Sequence, residues 1–152
     1  MRILTIIPLL LLIGGMLNGP VFGQTAPVRH GIKQDLKNFP QDTPQALKGS
    51  ILKALETANF DYLIAHLIDL EFIDRRIAKS FEGKLENQVR ETKGKLVGTE
   101  LGNQLRMILK EGKLTTKDTE AVLIHPKLGS TLVVRFVKIE DLWYMDNQKS
   151  QQ

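Results

Sequence analysis

Tyr62, His66 and Asp69 stand four and three residues apart, so on a helix all three share one face. A histidine between a phenol and a carboxylate is an arrangement that can shuttle a proton, because only the imidazole titrates near neutral pH and its neighbours can orient it. The plainer reading of His66 is a boundary side chain held by a nearby carboxylate. Trp143 and Tyr144 are adjacent aromatic residues that would suit the wall of a ligand pocket, although a lone strand tryptophan commonly belongs to a core. Arg75, Arg76, Lys79, Lys84 and Arg90 suggest an anion-binding strip, with Glu71, Asp74 and Glu82 close enough in sequence to cancel much of it.

Other chemistry finds no support. His30 and His125 are isolated in sequence and the chain has no cysteine, so no metal site is expected and no disulfide can form. No phosphate-cradling glycine loop, nucleophile elbow or zinc-protease helix is present, and no cofactor is expected.

The elements that must position these residues divide the chain in two. Residues 24–42 carry Pro27, Gly31 and Pro40 with little periodicity, which predicts an irregular arm or tether, docked by Ile32, Leu36 and Phe39. A helix should open at Thr43-Pro44, where a hydroxyl N-cap precedes proline at the first helical position. Leu47, Ile51, Leu52, Ala54, Leu55 and Ala58 continue it at helical spacing, and Asn59 is the expected left-handed close. Asp61 then N-caps a second helix that runs toward Phe81 with a bend near Asp69. From Lys84 to Lys113 the pattern stays helical but contains Gly94, Gly98 and Gly102, so short or broken helices are expected before a stop at Gly112.

After Thr115 β-branched and aromatic residues take over. Glu120 to His125, Thr131 to Ile139 and Leu142 to Met145 read as three strands. If Glu140-Asp141 is a two-residue turn, Ile139 faces Leu142, Val137 faces Tyr144, Phe136 faces Met145 and Arg135 faces Asp146. Val134, Phe136, Lys138, Trp143 and Met145 then share one side of the sheet. The expected architecture is a single α+β domain over residues 43–147, with N-terminal helices on a curved antiparallel sheet of about three strands, followed by a disordered tail at 148–152.

Arg2 precedes an apolar run from Ile3 to about Leu17 that breaks at Gly19-Pro20. This is the layout of a secretory signal peptide, with cleavage expected after Gly23. The run is short for a spanning helix, so no stable membrane span is expected after its removal, although an uncleaved anchor is the competing reading. The formal net charge of the 152-residue chain is only +4, with acids and bases interleaved. That describes a solvated mixed surface and argues against nucleic-acid binding.

Helices followed by strands that end in RFVKIEDLWYMDN resemble the nuclear transport factor 2-like superfamily, the cone-shaped α+β fold shared with ketosteroid isomerase. Val134, Phe136 and Val137 match the family's last apolar strand, Glu140-Asp141 its turn and Trp143-Tyr144 its closing pair. Asn59-Phe60-Asp61-Tyr62 is similar to the break in its opening helix pair. The resemblance implies a cone with a cleft. It carries no activity across, because no residue of this chain maps onto the family's catalytic base or oxyanion donor. The expected function is therefore an exported, periplasmic or extracellular, non-catalytic binding or interaction module for a small ligand or a protein partner. The alternative is a small pocket enzyme using His66, Asp69 or Tyr62.

Overall fold

The computed structural model describes residues 26–128 and 132–147; the expected leader at 1–23 and the tail at 148–152 lie outside the described residues. The protein is α+β. A short hairpin, β1 (Val28–Arg29) and β2 (Ile32–Lys33), precedes α1 (Pro44–Glu56), α2 (Phe60–Tyr62), a π-helical turn at Leu63–Leu67, α3 (Leu70–Ser80), α4 (Leu85–Leu96) and α5 (Glu100–Glu111). Four strands follow: β3 (Lys113–Lys117), β4 (Glu120–Ile124), β5 (Val133–Ile139) and β6 (Leu142–Asp146).

The segment expected to be an irregular arm is ordered and docked. Its two-residue strands are too short to show alternation, which is why periodicity does not reveal them. His30 and Gly31 both adopt positive φ, 51° and 80°, the backbone that tight hairpin turns need. The Arg29 guanidinium anchors the hairpin on the helices, donating to the carbonyls of Ala65 (2.6 Å) and Leu70 (3.2 Å) and to Asp74 Oδ1 (2.6 Å). Phe39 is buried and Ile32 packs against the core, but Leu36 is exposed.

Thr43 caps α1 as its sequence predicts, accepting from the Ala46 N–H at 3.1 Å. The helix buries Leu47, Ile51, Ala54 and Leu55. It closes differently from expectation: Ala58 takes the left-handed backbone (φ 54°), which frees Asn59 to cap α2 by accepting from the Tyr62 N–H at 3.3 Å. Asp61 thus lies within the first turn of α2 rather than at its cap. The apolar run from Tyr62 to Ile68 is buried throughout, as befits a helical segment that is hydrophobic on every side.

The bend expected near Asp69 is a complete break. Ile68 is extended (φ −103°, ψ 153°) and bridges Met145 of β6 in parallel. Asp69 then caps α3, its Oδ1 accepting from the N–H groups of Glu71 (3.0 Å) and Phe72 (3.2 Å). Of the glycines that follow, Gly83 and Gly98 stand in turns, whereas Gly94 lies inside α4 and Gly102 inside α5. A Cβ at Gly102 would sit 1.8 Å from the Leu96 carbonyl oxygen, so the α4–α5 crossing admits no side chain there. Gly112 ends α5 as expected.

The sheet is an antiparallel meander in the order β3-β4-β5-β6, with one strand more than the three expected. β3 reads Lys-Leu-Thr-Thr-Lys and is mostly exposed. An edge strand with one large apolar residue gives no alternating signal. The β5–β6 register agrees with expectation at each of the four expected pairs, and Lys138↔Trp143 completes the ladder; Glu140 supplies the left-handed residue (φ 55°) where glycine or asparagine is usual. Ala121, Leu123, Val134, Phe136 and Trp143 form the buried face, with α1 against β6 and α5 against β4.

The outer edge of β6 is covered. Trp143 N–H donates to the Gln41 carbonyl at 2.8 Å and Asp69 N–H to the Met145 carbonyl at 2.9 Å. The loop before α1 and the break before α3 thereby occupy backbone groups that an open edge would expose.

Candidate functional site

The structure brings together two of the three residues expected from the sequence to handle a proton. Tyr62 and His66 have ring centroids 4.9 Å apart, one turn of helix, as their spacing predicts. Asp69 is separated from them by the extended Ile68 and spends a carboxylate oxygen on the start of α3. The continuous helical face on which the trio rests does not exist.

Both rings face the docked arm. Tyr62 stacks on Phe39 at 4.3 Å, and its hydroxyl accepts from the Asp35 N–H at 2.9 Å; burial raises its phenol above the ordinary range. His66 Nε2 lies 2.8 Å from the Ile32 carbonyl oxygen, so this nitrogen carries the proton and donates. Burial pushes the imidazole down, with the Ile32 hydrogen bond opposing and the charges of Arg29 and His30 assisting. His66 is therefore neutral at pH 7 and 2% exposed. It fastens β2 to the helices.

Trp143 points into the core and Tyr144 to the opposite side of the sheet, where burial raises its phenol. Gln41 lies between these elements, 1% exposed. Its amide donates to the carbonyls of His66 and Trp143, both at 2.9 Å.

An opening among the described residues lies elsewhere. A cavity of about 740 Å³ separates α3, α4 and α5 from β5 and β6. Ile51, Leu63, Ile68, Ile73, Leu105, Val134 and Met145 contribute its apolar lining. None of Tyr62, His66, Asp69, Trp143 or Tyr144 lines it.

Helical spacing builds the polar wall. Gln88, Glu91, Thr92 and Lys95 fall at i, i+3, i+4 and i+7 of α4 and share one face, opposite Arg76 on α3. Arg76 Nε donates to Gln88 Oε1 at 2.7 Å and its Nη2 to Glu91 Oε1 at 2.9 Å. Lys95 Nζ donates to the same Glu91 oxygen. Gln88 Nε2 donates to Thr92 Oγ1 at 2.9 Å, and the guanidinium lies 5.5 Å from the Phe81 ring centroid. The Lys95 hydrogen bond holds the Glu91 carboxyl below its usual range, burial opposes, and Arg76 adds to the lowering. Arg135, Asp146 and Asn147 complete the lining from the sheet.

Of the cationic strip read from the sequence, Arg76 alone lines the cavity. Arg75 is exposed and within 3.7 Å of Glu71. The signal that finds the polar wall is the stripe on α4, which is hidden when only apolar residues are counted through that charged stretch. Among the described residues no group of three or more His, Asp or Glu could hold a metal ion, and no helix is long and apolar enough to cross a membrane. In comparisons with known proteins, no family model, curated protein or solved structure matches the chain.

Proposed function

We propose that the protein is an exported, non-catalytic binding module whose small ligand occupies the cavity between α3, α4, α5 and the sheet. The observation that carries this reading is the lining itself: apolar side chains against a polar wall whose residues are held by one another. Its volume, about 740 Å³, falls in the range of roughly 300–1,000 Å³ common for small-molecule sites.

The same wall is a poor proton-transfer apparatus. A general acid or base works best with a pKa near the operating pH, whereas Lys95 and Arg76 hold Glu91 ionised. The alternative, an acid–base enzyme around His66, needs that ring to meet a substrate. Its Nε2–H is committed to Ile32 and its side chain is buried.

Export to the periplasm or the extracellular space belongs to the same proposal, supported by Arg2 and the apolar run from Ile3 to Leu17. A relationship to the nuclear transport factor 2-like superfamily is proposed from the helices that precede the sheet and from the closing Trp143-Tyr144 pair.

The test is saturable binding of a neutral apolar fluorophore, N-phenyl-1-naphthylamine, to the purified protein. Binding should be saturable with one site, and weakened at least tenfold by Leu105→Trp or by Leu101→Trp at the exposed rim. Undiminished binding in both folded variants would contradict the assignment of the cavity.

A further inference from the structure

We infer that the cavity takes a single-chain amphiphile with a monoanionic head, an alkyl carboxylate, with its chain against Ile73, Leu105 and Met145 and its head beside Arg76 and Lys95. This rests on the binding reading above and adds the chemistry of the ligand.

Charge is the first support. Three cations line the cavity, Arg76, Lys95 and Arg135, against two carboxylates, Glu91 and Asp146. Arg135 and Asp146 face each other across β5 and β6. Arg76 and Lys95 share one oxygen of one carboxylate, Glu91 Oε1. The excess positive charge therefore lies where α3 meets α4, and it is one unit, which a single carboxylate would neutralise.

Preorganisation is the second. Gln88 is buried, bonded to Thr92 on one side and to Arg76 Nε on the other. It fixes the guanidinium beside the cavity, and a guanidinium held in this way can form paired, charge-assisted hydrogen bonds to a carboxylate. The neighbouring Lys95 side chain is 59% exposed, so the charged end of the site reaches water, where the head of an amphiphile is least costly to place.

The third is the contrast along the cavity. A wholly apolar ligand would satisfy Leu105 and Met145 but would desolvate part of the charged wall without giving it a partner. A cationic amphiphile would add to the existing excess. An alkyl chain with a carboxylate head matches both halves.

Displacement of N-phenyl-1-naphthylamine from protein purified after expression of the full chain provides the test, using decanoate, dodecanoate, dodecan-1-ol and dodecyltrimethylammonium below their micelle-forming concentrations. Dodecanoate should bind roughly fourfold tighter per methylene than decanoate, at least tenfold tighter than dodecan-1-ol, and tighter still than the cation. Lys95→Gln, at an exposed position, should remove most of the preference of dodecanoate over the alcohol. Equal binding of dodecanoate and dodecan-1-ol, or an unchanged preference in Lys95→Gln, overturns the carboxylate assignment and leaves the cavity as a site for apolar ligands. Failure of the fluorophore and of every chain to bind overturns both readings.

Discussion

Gln41 and Trp143 bond to each other twice: the Trp143 N–H donates to the Gln41 carbonyl at 2.8 Å, and the Gln41 side-chain amide returns a bond to the Trp143 carbonyl at 2.9 Å. The same amide reaches the His66 carbonyl, so one buried side chain ties the loop before α1, the π-helical turn and the last strand. Gln41→Leu would leave two carbonyls without their donor in a dry setting. An unsatisfied buried polar group costs about 1–3 kcal/mol, so we expect a loss of about 2–4 kcal/mol in urea unfolding. A loss below about 1 kcal/mol would show that water or backbone movement replaces the amide.

The glycines inside α4 and α5 should respond in opposite directions. Gly102→Ala drives a methyl into the Leu96 backbone and should destabilise by about 3 kcal/mol or more, at or above the usual range for overpacking. Gly94→Ala meets open space within α4 and should stabilise by roughly 0.5–1 kcal/mol. Denaturation midpoints of the pair measure both.

Trp143 is 4% exposed and packs with Phe136 and Val134 in the central cluster. Trp143→Ala should cost about 3–5 kcal/mol. An almost unchanged melting temperature would contradict its place in the core.

His66 makes stability pH-dependent with a definite sign. Its folded pKa lies below the ordinary value of 6.5 because burial disfavours the cation. At pH below about 6.5 the unfolded chain therefore binds more protons than the folded one, and stability rises with pH in that range. The contribution is complete above the unfolded pKa and is lost as pH falls through the folded one. Unfolding free energies from pH 7.5 to 5 should fall more steeply for the wild type than for His66→Asn. Parallel profiles would assign the slope to other groups.

Much of this architecture is legible in the residues. The Thr43-Pro44 start and the β5–β6 register follow from capping chemistry and a two-residue turn, both local. The π-helical turn and the break at Ile68 are not local. Tyr62 to Ile68 reads as uninterrupted helix, and the chain leaves it because Ile68 pairs with Met145 and Asp69 with the Met145 carbonyl, partners that lie far along the sequence. The same break removes Asp69 from the face shared by Tyr62 and His66. β3 is silent because an exposed edge strand needs no apolar alternation. The cavity wall is a further case: a stripe such as Gln88, Glu91, Thr92 and Lys95 looks like a solvated surface until Arg76 is placed opposite it.

The most direct test of the binding site is a map of amide shifts in ¹⁵N-labelled protein titrated with N-phenyl-1-naphthylamine. The largest saturable changes should fall on Ile73, Thr92, Leu105 and Met145, with Ile32, Tyr62 and His66 nearly still. Changes concentrated around Tyr62 and His66, or none that saturate, would contradict a ligand cavity between the helices and the sheet.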